Sequence, residues 1–104
     1  MTKREFIKSV QPLKHEILNT SDVEKIKSIL KEIVKRAETF INDPESMIDN
    51  SVDIDIKKQS LNFLKSDAFE KDEIDIFQVM ASIAKVSTSL TGYGPEEIMK
   101  IEKQ

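Results

Sequence analysis

Few side chains in this chain of 104 residues are of the kinds that carry out covalent catalysis. Cys is absent, and the one imidazole, His15, lies between Lys14 and Glu16 in a charged stretch. Nucleophilic catalysis requires a nucleophile held beside an activating base, and the sequence indicates no such pairing. We interpret His15 as a surface histidine and predict a protein that is not an enzyme and has no catalytic residues.

Carboxylates are plentiful, but their spacing does not match that of a metal or cofactor site. Asp53 and Asp55 are spaced as at the start of a calcium loop, but Lys57 and Lys58 stand where the loop requires a further oxygen ligand and a glycine. The stretch Thr91–Gly94 lacks the Lys and Ser/Thr that end a phosphate-binding loop. We therefore predict no metal, no cofactor and no small-molecule substrate.

One row of basic residues could contact nucleic acid. Lys27, Lys31 and Lys35 recur at intervals of four, the spacing of one helix face. The row has no aromatic side chains to stack on bases and no arginines to read base edges. The net charge of -3 also disfavours contact with a phosphate backbone. We interpret the row as a solvated helix face and keep a nucleic-acid-binding regulator as a third alternative.

The stretch from Ile76 to Pro95 is poor in charge. Lys85 is its one charged residue, in a chain that is 34% charged, and five of its residues are Ser or Thr. Two interpretations stay open, a central core helix and an exposed contact surface. Hydroxyl groups are cheaper to desolvate than charges, so such a face suits a protein partner. Tyr93, between Gly92 and Gly94, would be its anchor.

Helices are the elements expected to position these residues. The chain has two glycines, whereas all-β folds use many glycines in their turns. Thr2 and Glu5 form a capping box, which predicts a first helix from Thr2 through Leu18. Pro12 lacks an amide donor and crowds the preceding turn, so we expect a kink or a restart there.

Ser21 and Glu24 form a second capping box, ahead of the most regular apolar pattern in the chain. The pattern consists of Val23, Ile26, Leu30, Ile33, Ala37 and Phe40. Ile29, Val34 and Ile41 widen the stripe beyond a two-stranded seam, which suits a helix packed inside a bundle. Asn42–Pro44 ends the helix, because proline disfavours helical geometry in the residue before it.

Residues 44–56 are ambiguous. The alternation of apolar and acidic residues over 52–56 and 74–76 is compatible with two short paired strands. We favour a third helix that begins at Ser51 or Asp53 and ends near Ser66. Its predicted inner face consists of Ile56, Ser60, Phe63 and Leu64.

A fourth helix is predicted from Asp72 to Leu90, with acidic residues in its first turn, where the helix dipole favours them. Its predicted inner stripe consists of Ile76, Phe77, Met80, Ile83, Ala84, Ser87 and Leu90. Gly92 supplies a left-handed stop, and Pro95 opens a short tail helix. We predict an all-α fold, an antiparallel four-helix bundle with a short C-terminal helix, forming a single domain over residues 1–104.

The sequence also bears on cellular location. It has no apolar run of about 18 residues, the length that a membrane span requires. Charged residues follow the N-terminus too closely for the apolar core of a signal peptide. We therefore expect a cytoplasmic protein.

The C-terminal part of the chain resembles one known family. The stretch Phe69–Glu73, the later residues Ile76, Met80, Ile83, Ala84 and Ser87, and the ending Gly92-Tyr93-Gly94 resemble the last helix and tail of bacteriocin immunity proteins. Proteins of this family, of the enterocin A immunity type, protect lactic-acid bacteria and streptococci from pediocin-like peptides. They are similar to this chain in length and in expected helix order. Many of them are basic, whereas this chain is acidic.

The resemblance implies a non-catalytic, cytosolic binding protein. Its partner would be a sugar transporter in the membrane with bacteriocin bound to it, which the immunity protein stops from leaking. The partner-binding residues carried over by the resemblance are Lys85, Thr88, Thr91 and Tyr93. A second interpretation is a small phage or mobile-element protein that binds another protein or assembles as an oligomer. Both a monomer and a homo-oligomer are compatible with the sequence.

Overall fold

The protein folds as an all-α helical bundle. The computed structural model describes residues 1–43 and 54–104. Over these residues the chain forms six helices and no strand: α1 (Lys3–Leu18), α2 (Val23–Asn42), α3 (Ile54–Ser60), α4 (Asn62–Phe69), α5 (Ile76–Thr91) and α6 (Pro95–Glu102). The predicted all-α class is therefore confirmed. The helix α2 packs against α1, α3 and α4, and α5 packs against α1, α3, α4 and α6.

The first helix begins where the capping pattern predicts. The Thr2 hydroxyl accepts a hydrogen bond from the Glu5 amide at 3.1 Å, which satisfies one otherwise unpaired donor. The helix continues through Pro12 to Leu18, so of the two outcomes expected there, a kink or a restart, the restart does not occur. Val10 and Ile17, on either side of the proline, are both buried, and their packing holds the two halves of α1 against the same core.

The second helix begins one residue later than predicted. Asp22, and not Ser21, is the N-cap, and its carboxylate accepts a hydrogen bond from the Glu24 amide at 3.0 Å. A carboxylate satisfies the free amides and also interacts favourably with the positive end of the helix dipole, which explains the choice. The helix ends at Asn42, as predicted.

The predicted third helix is two helices, α3 and α4, which are separated at Leu61. The starts proposed at Ser51 or Asp53 lie outside the described residues. The alternating pattern over 54–56 is helical and not a strand, and Ile74 and Asp75 are in no strand either. Residues 52 and 53 lie outside the described residues.

The inner face of this region also differs from the prediction. The buried side chains of the described part are Lys57, Ser60, Leu61, Leu64, Asp67 and Ala68, while Phe63 is exposed. These buried residues keep helical spacing across the break at Leu61, and Phe63 lies beside their stripe and faces outwards. The side chain of Ile56, also predicted on this face, lies outside the described part.

The helix α5 begins at Ile76, four residues after the predicted start at Asp72. Asp75 is its N-cap and accepts hydrogen bonds from the amides of Phe77 at 3.0 Å and Gln78 at 3.4 Å. The acidic residues therefore precede the helix and do not form its first turn. Gly92 ends the helix with a φ of 75°, as predicted. Pro95 begins α6, also as predicted.

Candidate functional site

The described residues contain no cluster of catalytic or metal-binding groups. His15 lies exposed on α1, and no group of three or more His, Asp or Glu side chains in this part of the chain could hold a metal ion. Over residues 1–43 and 54–104, Asp67 has a buried carboxylate, which forms an ion pair with Lys71 at 2.9 Å. This ion pair therefore explains how the Asp67 carboxylate can be buried without a catalytic role.

The charge-poor stretch is core on one side and surface on the other. The buried residues of α5 are Val79, Ile83, Val86, Ser87, Leu90 and Thr91. The predicted inner stripe is wrong at Phe77 and Ala84, which are exposed, and it omitted Val79 and Val86. Both stripes have helical spacing and share Ile83, Ser87 and Leu90, so periodicity alone did not distinguish them.

Three large aromatic side chains lie on the outside of the region that follows α3. Phe63 is 60% exposed, Phe69 is 62% exposed and Phe77 is 88% exposed. An exposed phenylalanine forgoes about 1.5–3 kcal/mol of burial. Grouped exposed apolar residues commonly mark a binding surface on a protein.

Two of these rings lie beside lysines. The Lys85 ammonium is 5.3 Å from the centroid of the Phe63 ring, and the Lys31 ammonium is 5.2 Å from that of Phe69. Both distances are within the range of cation–π attraction. No cation–π contact to Phe77 is found among the described residues, and Phe77 is the most exposed of the three rings.

A groove of about 350 Å³ runs between α4 and α5. It is lined by Phe63, Asp67, Lys71, Gln78, Ala81, Ser82 and Lys85. A second depression shares Phe63 and Lys85 and continues the groove towards Gln59 and Ser89. Phe77 lies one helical turn before Ala81, on the same exposed face of α5. We refer to Phe63, Phe77, Ala81 and Lys85 as the α4–α5 surface.

Acidic residues border this surface. From Asp67 to Lys85 the chain has five acidic and two basic residues. Asp67 is neutralised by Lys71, whereas the remaining acidic residues, Glu70, Asp72, Glu73 and Asp75, are exposed. The α4–α5 surface is therefore acidic beside the first turn of α5 and basic at Lys85, two turns further along that helix.

The structure separates the four partner-binding residues that the resemblance implies. Lys85 is exposed on the α4–α5 surface, and Thr88 is half-buried. Tyr93 is half-buried, and its ring centroid is 5.6 Å from the Lys3 ammonium of α1. Lys85 thus contacts α4, whereas Tyr93 contacts α1.

Thr91 lies in the core and not on an accessible surface. It is 2% exposed, and its hydroxyl donates a hydrogen bond to the Ser87 carbonyl at 2.6 Å. The same oxygen accepts one from the Tyr93 amide at 3.2 Å. Thr91 therefore orders the turn that carries Tyr93, and it offers no hydroxyl to a partner.

Sequence reasoning missed Phe63 and Phe77 as surface residues. The sequence predicts both on inner faces because they fall at helical spacing with other residues of a predicted stripe. For Phe77 a signal was available, since Val79, Ile83 and Val86 form a complete inner stripe without it. For Phe63 the signal was weaker, since it lies at the edge of the inner stripe that Ser60, Leu61 and Leu64 form at helical spacing.

Two other depressions are open to solvent. One of about 560 Å³ lies between α2, α3 and α4, beside the two ends of the stretch 44–53 that the structure does not describe. The other, of about 250 Å³, lies between α1 and α6 and is lined in part by His15, Leu18, Met80 and Met99. Neither contains a buried, unsatisfied polar side chain among the described residues.

Among the helices of the described residues, none combines the length and the apolar character that crossing a bilayer requires.

Comparison with known proteins gave no match: no family model fits the chain, and no curated protein and no solved structure matches it.

Proposed function

We propose that this chain is a non-catalytic protein that acts by binding another protein through the α4–α5 surface. One observation supports this proposal above the others: Phe63 and Phe77, both on this surface, are 60% and 88% exposed. The core accommodates phenylalanine well, since Phe6 and Phe40 are fully buried in it. The exposed rings are therefore not explained by a lack of space for aromatic residues.

The chemistry of the α4–α5 surface suits protein contact. Aromatic side chains contribute most of the binding energy at many interfaces, and they lose little conformational entropy on binding. Between Phe77 and Lys85, α5 presents uncharged side chains, so little charge must be desolvated on docking. The carboxylates of Asp72, Glu73 and Asp75 lie at the edge, where they would affect the association rate and the choice of partner.

We further propose that the binding is of the immunity type. The support is the resemblance of residues 69–94 to the last helix and tail of bacteriocin immunity proteins. On this proposal the chain acts in the cytosol and recognises a bacteriocin-occupied sugar transporter. Lys85 and Tyr93 would then contribute two separate contacts, because they lie beside α4 and α1 respectively.

Expression in a sensitive lactic-acid bacterium tests this function. Cells that make the unaltered chain should survive a pediocin-like peptide that kills cells carrying an empty vector. The Phe77→Ala and Tyr93→Ala variants should each lose protection by about tenfold or more, the effect of removing a binding hot spot. The matched control is Met99→Ala, which removes a 53% exposed apolar side chain from α6 and should protect fully.

The outcomes separate the two parts of the proposal. If the unaltered chain gives no protection against any peptide of the class, the immunity function is wrong. If it protects, and Phe77→Ala protects equally well, the α4–α5 surface is not the binding site. Loss with Tyr93→Ala alone would place the contact beside α1. Equal soluble levels of all variants must be verified by immunoblot.

A further inference from the structure

We propose that in the free protein the α4–α5 surface is covered by a second copy of the chain, with the two α5 helices antiparallel and crossing at Ala81. This rests on the same surface as the proposed function and names what occupies it before a partner binds. The partner and the second copy would therefore compete.

The centre of the exposed face of α5 is a small side chain. Phe77, Ala81 and Lys85 are four residues apart, so they form one line along the helix. All three are exposed, and Ala81 lies midway between the other two. A small residue at the centre, with larger ones on either side, lets a second helix approach closely.

A two-fold axis through Ala81 places each end of this line opposite the other end of the same line in the partner copy. Residues four positions either side of Ala81 lie about 6 Å from it along the helix axis. In an antiparallel pair, Phe77 of one copy therefore faces Lys85 of the partner copy. That lysine already lies over the Phe63 ring, so Phe77 would join an existing cation–aromatic pair. The contact is made twice, as two-fold symmetry requires.

The charges along α5 are self-complementary in the same arrangement. The acidic residues Asp72, Glu73 and Asp75 lie at the start of α5, and no described ion pair involves them. Lys85 is the one charged residue within the helix. The antiparallel arrangement brings the acidic start of one copy near Lys85 of the other, whereas a parallel arrangement would place like charges together.

The size of this face suits a weak, reversible dimer. The helix α5 has 16 residues and is about 24 Å long at about 1.5 Å per residue. The face of one such helix, with the adjoining part of α4, makes a small interface, and small interfaces are typical of transient complexes. We therefore expect dissociation into monomers in the micromolar range, which leaves the surface available to a tighter-binding partner.

Sedimentation equilibrium from about 5 µM to about 500 µM tests the self-association. The average mass should rise with concentration from 11.9 kDa towards twice that value. Ala81→Arg places two arginines at the axis and should weaken association about tenfold or more. Met99→Arg introduces the same charge on α6 and should associate like the unaltered chain. Circular dichroism should show the same helicity in all three, because both sites are exposed.

Cysteine cross-linking tests the proposed axis. The chain has no Cys, so an Ala81→Cys variant contains a single thiol. Two helices in contact at alanine have Cα atoms roughly 4–6 Å apart, which is within the span of a disulfide. Mild oxidation should therefore link Ala81→Cys into dimers rapidly.

Ala84→Cys is the matched control, with the same substitution on the same helix. In the proposed dimer the Cα atoms of the two residues 84 are separated by about 9 Å along the helix axis alone, which is too far for a disulfide. A monomer at every concentration, unweakened association of Ala81→Arg, or equal cross-linking of Ala81→Cys and Ala84→Cys would each overturn the proposal. Since these measurements use the isolated chain, their failure leaves the protection experiment unaffected.

Discussion

Phe6 and Phe40, in α1 and α2, stack in the core with ring centroids 5.0 Å apart, whereas Phe63, Phe69 and Phe77 lie on the surface of α4 and α5. The same side chain therefore has opposite roles in two regions of one small protein. The first pair contributes to folding through burial. The other three forgo that contribution, which is expected where a surface is kept for contact with another molecule.

The two regions differ in charge as well. Residues 1–41 have nine basic and six acidic side chains, whereas residues 42–84 have four basic and ten acidic ones. In α2 the lysines alternate with glutamates around a fully apolar inner stripe, the pattern of a helix that meets water on its outer face. Beside α5 the acidic residues are concentrated in the connection before the helix. The two regions thus differ both in the sign of their charge and in whether their aromatic rings are buried.

The largest expected loss of stability comes from truncating one ring of the buried aromatic pair, Phe6 and Phe40. Phe40→Ala should lower the free energy of unfolding by about 3–5 kcal/mol, because it removes a fully buried ring and leaves a cavity beside Phe6. Phe77→Ala, at 88% exposure, should change it by less than about 0.5 kcal/mol. Urea denaturation followed by circular dichroism measures both. A loss of stability in Phe77→Ala as large as that in Phe40→Ala would contradict the division into buried and exposed rings.

A smaller effect is expected at the N-cap that fixes the first turn of α5 and with it the position of Phe77. Asp75→Ala removes the acceptor of the Phe77 and Gln78 amides and should lower the free energy of unfolding by about 1 kcal/mol. Glu73→Ala is the control, because it removes an exposed carboxylate that caps no amide. Amide hydrogen exchange should show faster exchange at the start of α5 in Asp75→Ala alone. Equal exchange in the two variants would show that the cap does not hold this turn.

The smallest effect concerns the contact between Lys85 and Phe63. Lys85→Ala should lower the free energy of unfolding by about 0.5–1 kcal/mol, the usual strength of an exposed cation–π contact. A double-mutant cycle with Phe63→Leu isolates the pairwise energy, since the second change should then have little further effect. Strictly additive losses would mean that the ammonium and the ring contribute independently. Lys100→Ala, at an exposed site on α6, controls for the loss of a surface charge.

Most helix boundaries followed from short stretches of sequence. Thr2, Asn42, Gly92 and Pro95 mark boundaries that were predicted and confirmed. Where a prediction was wrong by one residue, as with Ser21 and Asp22, two capping residues were adjacent and both could have accepted the amide. At the start of α5 the two candidate capping residues, Asp72 and Asp75, are three positions apart, and Asp75 is the one that caps the helix.

The candidate site was less predictable than the fold. Lys85 was named through the family resemblance, and it does lie on the α4–α5 surface. Phe63 and Phe77 were assigned to the core, and Thr91 was assigned to a surface although it is buried. The two errors at phenylalanine share one cause, which is that helical periodicity defines a stripe but does not say which of two overlapping stripes faces inwards. Thr91 was named through the family resemblance, which says nothing about burial.

The sequence by itself determined the helical class, the scarcity of catalytic groups and most helix ends, because caps, proline and glycine act within a few residues of themselves. Only the tertiary structure decided the rotation of α5 and the division of the third predicted helix into α3 and α4. Those outcomes depend on packing α5 against α1, α3, α4 and α6 at the same time. Val79, Ile83 and Val86 fit that shared interior together, and their burial leaves Phe77 outside.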